Sequence, residues 1–468
     1  KNAYTCVEQT VYSDDIQSNQ VEKCAIVHAE RFDEMVPRLF HTELEAVYEE
    51  KNRTLDSDSR KTFAALLEGL FPQHQYGTQT TIGTIEHLKN PSITEIKKYF
   101  DKYYVPNNMA IAMSGELDYD QTIKIIDKYF GKLENKPVQE FQVAQEQPIQ
   151  KPVLKEVLGP DAESVTIGYR FPGVKTRDAV VLRMINQILS NGQAGLIDLN
   201  LNQQQKVLGA GAFELIMNDY SAHVLQGSPR QGQKLEEVQK LMLEQVEKVK
   251  KGEFDDWLLE AIANNEKIRL MKAYEDNSSR ADAFVSAFVA NMDWKDYIAM
   301  TNALGTVTKQ EVMDVANKYY GNNYVVVYKR TGEEPNKQKV EKPAITPVAV
   351  NREVQSDFYK NVMAGESPEI LPVFIDYQKD IQKATLKNNI PLLYTKNKEN
   401  GLFQLYYISD MGTNNDPKIG LAVQYLKYLG TDKYTAEELQ KEFYKLGMSF
   451  DVFSANDQIY VMLNGLDA

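Results

Sequence analysis

Apolar residues in this chain recur with two periods. Leu235, Val238, Met242, Val246 and Val249 fall at spacings of three and four, which predicts a surface helix with one buried stripe. Short runs rich in β-branched and aromatic residues at 165–171, 213–217 and 325–328 predict strands lying between such helices. The first dozen residues, with Tyr4, Thr5, Val7, Thr10, Val11 and Tyr12, also have strand character, as do the last few around Val461 and Leu463. The mixture predicts an α+β architecture of repeated domains, each an antiparallel-rich sheet with helices packed on one face.

Two polar, proline-bearing stretches, 137–153 and 333–357, have no helical period and are expected to be linkers. They divide the chain into blocks 1–136, 154–332 and 358–468. An internal repeat connects the first two. Residues 92–113 and 306–328 each run from Ser/Thr through an amphipathic helix to Lys-Tyr-Tyr, then an Asn-Asn turn, then an apolar segment expected to be a strand. The Lys-Tyr-Tyr and Asn-Asn pairs stand 216 and 215 residues apart in the same order. Thr94 and Thr308 are the expected N-caps, since a hydroxyl can accept an orphan amide proton of the first turn. A weaker echo sets Phe453 to Gln458 against Tyr4 to Gln9. In that register residues 360–450 are a divergent copy of whatever precedes Lys1, and the chain starts and stops part-way through a domain.

Composition narrows the function classes. With 53 Lys plus Arg against 66 Asp plus Glu the formal charge is −13, which argues against binding a phosphate backbone. No apolar run approaches the roughly 18 residues of a membrane helix. Cys6 and Cys24 leave room for one bridge, but two buried free thiols are the simpler expectation.

The five histidines, at 28, 41, 74, 87 and 223, include no pair at i, i+4 and no His-Glu-x-x-His or its inverse. The breaker-free segment 40–53 predicts a helix on which Glu43, Val47 and Glu50 lie at i, i+4 and i+7, placing two carboxylates on one face two turns apart. Spacing alone leaves this open: a Glu-rich helix is commonly a solvated face, and carboxylates beside an apolar stripe also suit a cleft. Trp257 and Trp294 fall in helical, apolar contexts and are expected to be packing residues.

Asn-Ala-Tyr-Thr at 2–5, the Glu43 to Glu50 helix, Leu-Phe-Pro-Gln-His-Gln-Tyr-Gly at 70–77, Ile-Gly-Thr at 82–84, the Pro-Asn-Asn turn at 106–108 and Ser-Gly-Glu-Leu-Asp at 114–118 occur in an order that resembles the insulinase/pitrilysin (M16) family of zinc peptidases. Phe-Pro-Gly at 171–173 and residues 179–192 look like that family's inactive companion domain. The resemblance implies LuxS/processing-peptidase-like domains. In this reading 1–136 is part of a catalytic-type domain, 154–332 an inactive one, and 358–468 part of a degenerate third.

The resemblance also implies a zinc-dependent metalloendopeptidase that hydrolyses peptides or unfolded polypeptides inside a clamshell chamber, where zinc activates a water and polarises the scissile carbonyl. It implies Glu50 as a zinc ligand, Glu43 as its supporting acid, and Asn2, Ala3, Tyr4 and Thr5 as the sheet edge that receives substrate as an added strand. The two histidine ligands and the base come from an inverted His-x-x-Glu-His motif expected upstream of Lys1. The third block, around 421–431, has no histidine, so it cannot bind zinc in the family manner. The 468 residues alone are therefore expected to lack part of the zinc site and to be inactive by themselves. Other expected partners are a second copy or the remainder of the same protein, in a bacterial periplasm or envelope. The alternatives are a non-catalytic scaffold of the same fold and a peptide-binding subunit.

Overall fold

The computed structural model describes residues 2–89, 91–335, 339–341, 344 and 349–466. The proposed linker 333–357 therefore lies partly outside the described residues. The chain forms two compact units, one of residues 1–262 with 277–365, the other of 263–276 with 366–468. The first block and most of the second thus fall in one unit, while residues 263–276 of the second block belong to the other.

The first block opens with an antiparallel hairpin, β1 (Asn2–Thr5) and β2 (Thr10–Ser13), paired from Asn2↔Ser13 to Thr5↔Thr10. Helices follow: α1 (Val21–Asp33), α2 (Phe40–Asp56), α3 (Asp58–Leu70), α4 (Gln75–Thr78), α5 (Ile85–Lys89), α6 (Ile93–Tyr103) and α7 (Tyr119–Phe130). The second block contains β3 (Val153–Gly159), β4 (Ser164–Pro172), α8 (Arg177–Leu189), β5 (Gly209–Ile216), β6 (Tyr220–Ser228), α9 (Leu235–Lys251), α10 (Trp257–Ala273), α11 (Asn277–Val289), α12 (Trp294–Asn302), α13 (Lys309–Tyr319) and β7 (Val325–Thr331). Its sheet has the order β3-β7-β4-β6-β5, antiparallel apart from β3 with β7. The predicted stripe of α9 is buried at all five positions.

Side-chain alternation puts both faces of this sheet in contact with helices. Tyr169 and Phe171 pack edge-on and tilted against Tyr320, and His223 reaches Asn186 of α8, so this face meets α8, α9 and α13. Ala222, Val224, Val325 and Val327 project the other way onto Leu66 and Leu70 of α3, a helix of the preceding block. Burial on both faces accounts for the unbroken apolar run at 324–328.

The repeat is visible in the order of the elements. Hairpin, α1, α2, α3 and α6 of the first block reappear as β5–β6, α9, α10, α11 and α13 of the second. Thr308 caps α13 in a reciprocal capping box, as expected. The other cap is Ser92 rather than Thr94: Ser92 Oγ accepts the Glu95 amide at 3.2 Å. The 216-residue offset itself aligns Ser92, not Thr94, with Thr308. Residues 109–113 do not form the expected strand, whereas the equivalent β7 is a strand because β3 and β4 flank it. No strand pairs with 109–113 among the described residues.

The other unit carries α14's successors: after α14 (Asp357–Ala364) come β8 (Gln382–Thr385), β9 (Pro391–Tyr394), β10 (Leu402–Ser409), α15 (Ile419–Tyr425), α16 (Ala436–Lys445), β11 (Ser449–Ser454) and β12 (Ile459–Leu466), with a sheet in the order β10-β12-β11. The β11–β12 turn is closed by Ala455 N donating to Gln458 O at 2.7 Å. The β1–β2 turn is closed by Cys6 N donating to Gln9 O at 2.8 Å. The two turns coincide in the register read from the sequence.

Candidate peptide and metal site

α2 is held by its inward face. Leu44 and Tyr48 pack with Val340 and with Phe40, Ile85 and Leu88. Tyr48 Oη donates to Leu88 O at 3.0 Å, and Asn52 exchanges two hydrogen bonds with the Val340 backbone. Buried Lys51 donates from Nζ to Gly83 O at 2.8 Å, and its burial lowers the pKa of the ammonium. Gly83 has φ +79° in the turn of the Ile-Gly-Thr motif, so that motif presents a carbonyl to α2.

The opposite stripe of α2 carries Glu43, Ala46 and Glu50, all exposed. The two carboxylates share a face, as the spacing predicts. No hydrogen bond or ion pair to either side chain occurs among the described residues.

The motif at 70–77 fixes the opening hairpin. Buried His74 accepts the Tyr76 amide at Nδ1 (3.2 Å) and turns Nε2 to Asp219 Oδ2 at 3.1 Å. Tyr76 Oη donates to Glu8 Oε1, which also accepts the Asn218 amide at 2.9 Å. Burial and the adjacent Glu8 carboxylate push the Tyr76 phenol well above its usual range, so it stays a donor. Glu8 lies in the β1–β2 turn and Asn218 in the β5–β6 turn, so this network locks one hairpin to the other. Gly77 is required here, because a Cβ would stand 2.3 Å from Phe71 O.

β1 is exposed at all four residues and pairs only with β2 among the described strands. Its repeat counterpart β5 is the edge strand of the completed sheet. Asn2, Ala3, Tyr4 and Thr5 thus form an edge that no other described strand covers, with the Ala3 amide donating to Asn2 Oδ1 at 2.9 Å.

Among the described residues, one group of three His, Cys, Asp or Glu side chains converges at ligand distance: Asp14, Cys24 and His28. Glu43 and Glu50 are not in it. The described residues do not assemble a catalytic zinc site around Glu50, which can enter one only beside ligands contributed from elsewhere. Cys24 and His28 are a Cys–His pair at i, i+4, a signal that His–His spacing does not carry. Neither cysteine is in a disulfide, and Cys6 is exposed rather than buried because it sits in the hairpin turn. Trp257 begins α10; Trp294 begins α12, where its ring packs on Phe284 and Tyr297 while staying 41% exposed.

Residues 92–266, from α6 into α10, match the family model described as the peptidase M16 inactive domain. Over this segment the chain is similar to the M16 peptidase family. Similar proteins include the zinc protease PqqE of Helicobacter pylori, 24% identical over 68% of this chain and 73% of that protein. The beta subunit of the Neurospora crassa mitochondrial-processing peptidase is 29% identical over 28% of each chain. The M16 fold extends further: the crystal structure of the periplasmic protease PqqL from Escherichia coli superposes over 99% of this chain and 55% of that one, with TM-score 0.57 and 14% identity. No helix among the described residues is long and apolar enough to cross a membrane.

Proposed function

We propose that this chain is part of a zinc-dependent metalloendopeptidase of the M16 type acting on peptides or unfolded polypeptides. Glu50 contributes the carboxylate ligand, and Glu43, two turns away on the same face, positions it. Asn2, Ala3, Tyr4 and Thr5 take the substrate as an added strand. The observation that carries the reading is the open edge of β1, locked to the next block through Glu8. Backbone pairing at such an edge binds a polypeptide without reading its side chains, which suits broad cleavage. The similarity to named zinc proteases supports the chemistry, and the zinc site needs two histidines from outside these residues. The periplasmic neighbour supports a periplasmic or envelope location.

The test uses the protein that includes the His-x-x-Glu-His segment. Glu50→Gln should lower zinc content and abolish chelator-sensitive cleavage of a quenched fluorogenic peptide. Full zinc affinity and activity in that variant would show that Glu50 is not a ligand. Two observations favour a second reading, a non-catalytic scaffold or peptide-binding subunit: the matched model is the inactive domain, and among the described residues no cluster of ligands includes Glu50. Under that reading the wild-type protein binds peptide but shows no chelator-sensitive hydrolysis.

A further inference from the structure

We propose that Asp14, Cys24 and His28 form a binding site for a borderline-soft divalent transition metal of the zinc class, separate from the carboxylates of α2. α1 places Cys24 and His28 one turn apart on one face, and Asp14 comes from the segment just after β2. Asp14 Oδ2 is approached by Cys24 Sγ at 3.9 Å and by His28 Nε2 closer still. The three ligand atoms all lie within 4.8 Å of one another. The Asp14 and His28 side chains are each 15% exposed, so the pocket is largely shielded yet still open to an entering ion. The His28 ring stacks on Phe32 at 6.1 Å, which fixes its plane.

A thiolate, an imidazole and a carboxylate select against calcium and magnesium, which take oxygen ligands, and suit zinc or cobalt. Three protein ligands leave the fourth tetrahedral position to water. On loading, the Cys24 thiol releases its proton to solvent. His28 keeps one proton, at Nδ1, and gives its Nε2 lone pair to the metal. Arg31 Nη1, 3.4 Å from Nδ1, then gives up that contact and keeps its seat over the Tyr12 ring, 5.6 Å away. The ion joins the segment after β2 to α1, and so stiffens the base of the hairpin that carries β1.

The test is titration of the 468-residue chain with cobalt(II) alone, under reducing conditions. The expected result is a thiolate-to-cobalt charge-transfer band with intense tetrahedral d–d bands, saturating at one equivalent and bleached by zinc. Cys24→Ser and His28→Ala, with unchanged far-ultraviolet circular dichroism, should lose these bands. Asp14→Asn should weaken binding about tenfold or more. Glu50→Gln should leave the spectrum unchanged. A wild-type chain that shows no thiolate band, or a Cys24→Ser variant that retains it, overturns the proposal, and neither result bears on Glu50.

Discussion

Lowering the pH from 8 to 5 should destabilise this protein through His223. The side chain is fully buried in β6. Its Nδ1 faces Tyr320 Oη at 2.7 Å and its Nε2 faces Asn186 Oδ1 at 3.2 Å, so a neutral ring protonated at Nε2 satisfies both partners. Burial pushes the pKa from 6.5 down to about 3. The unfolded chain therefore takes up a proton near pH 6.5, while the folded chain resists until about pH 3. The stability this group contributes is complete above pH 6.5 and is lost as the pH falls from there toward 3. At pH 5 the gap from the unfolded value is about 1.5 pH units, or about 2 kcal/mol.

His223→Gln removes the titrating group and keeps an amide that can face Asn186. Urea unfolding of both proteins at pH 8 and pH 5 supplies the comparison. The drop in stability on acidification should be about 2 kcal/mol larger in the wild type than in the variant, whatever the variant's own stability. The carbon-13 resonance of the His223 ring, assigned by its absence in His223→Gln, should not move between pH 8 and 5. Equal drops, or a resonance that titrates near 6.5, would refute the reasoning.

Other changes probe the joints around the site. Asp58 and Lys329 form an ion pair at 2.9 Å, each 2% exposed. Burial raises the Asp58 pKa, but hydrogen bonds from Lys329 and Lys61 more than offset it and hold it at about 2. Its stabilisation should persist above pH 3.8 and fade as the pH falls toward 2, read as a shift of the acid transition in Asp58→Asn. That variant leaves a buried ammonium and should cost about 3–5 kcal/mol, part of it recovered by adding Lys329→Met. Leu66→Ala, in the core between α3 and the sheet, should cost about 2–5 kcal/mol by denaturant unfolding. Because strand N–H groups alternate in direction, one of Ala3→Pro and Tyr4→Pro breaks pairing to β2 and the other removes a donor from the open edge. The second should weaken peptide binding, measured by fluorescence anisotropy, without loss of folded structure; unchanged binding in both variants would remove β1 from the site.

Local features were legible in the residues. The α9 stripe, the α2 helix with its two carboxylates on one face, the Thr308 cap and the β11–β12 turn register each depend on neighbours within a few positions, where period and capping chemistry decide. Pairings across the chain were not. That α3 covers a sheet belonging to the next block depends on Leu66 and Leu70 meeting Val325 and Val327, more than 250 residues away. Residues 109–113 read as a strand because their composition matches 325–328, yet strand formation requires a neighbour to hydrogen-bond with, and composition cannot supply one.

The two carboxylates of α2 and the three ligands near α1 mark opposite sides of the same limit. Glu43 and Glu50 were found by spacing, but spacing says only that they share a face; their exposure leaves their chemistry to groups outside the described residues. Cys24 and His28 have the same one-helix signature and a third ligand, Asp14, only ten residues upstream, and this set closes within the chain. A metal site built from one helix and the segment before it needs little tertiary structure, so cobalt binding there should survive variants that unlock the hairpin, such as Glu8→Gln. Peptide capture at β1 relies on the Glu8 lock to the second block and should weaken in that variant. A Glu8→Gln chain that lost cobalt binding while keeping peptide affinity would invert this order and show that the hairpin, not α1, organises the ligands.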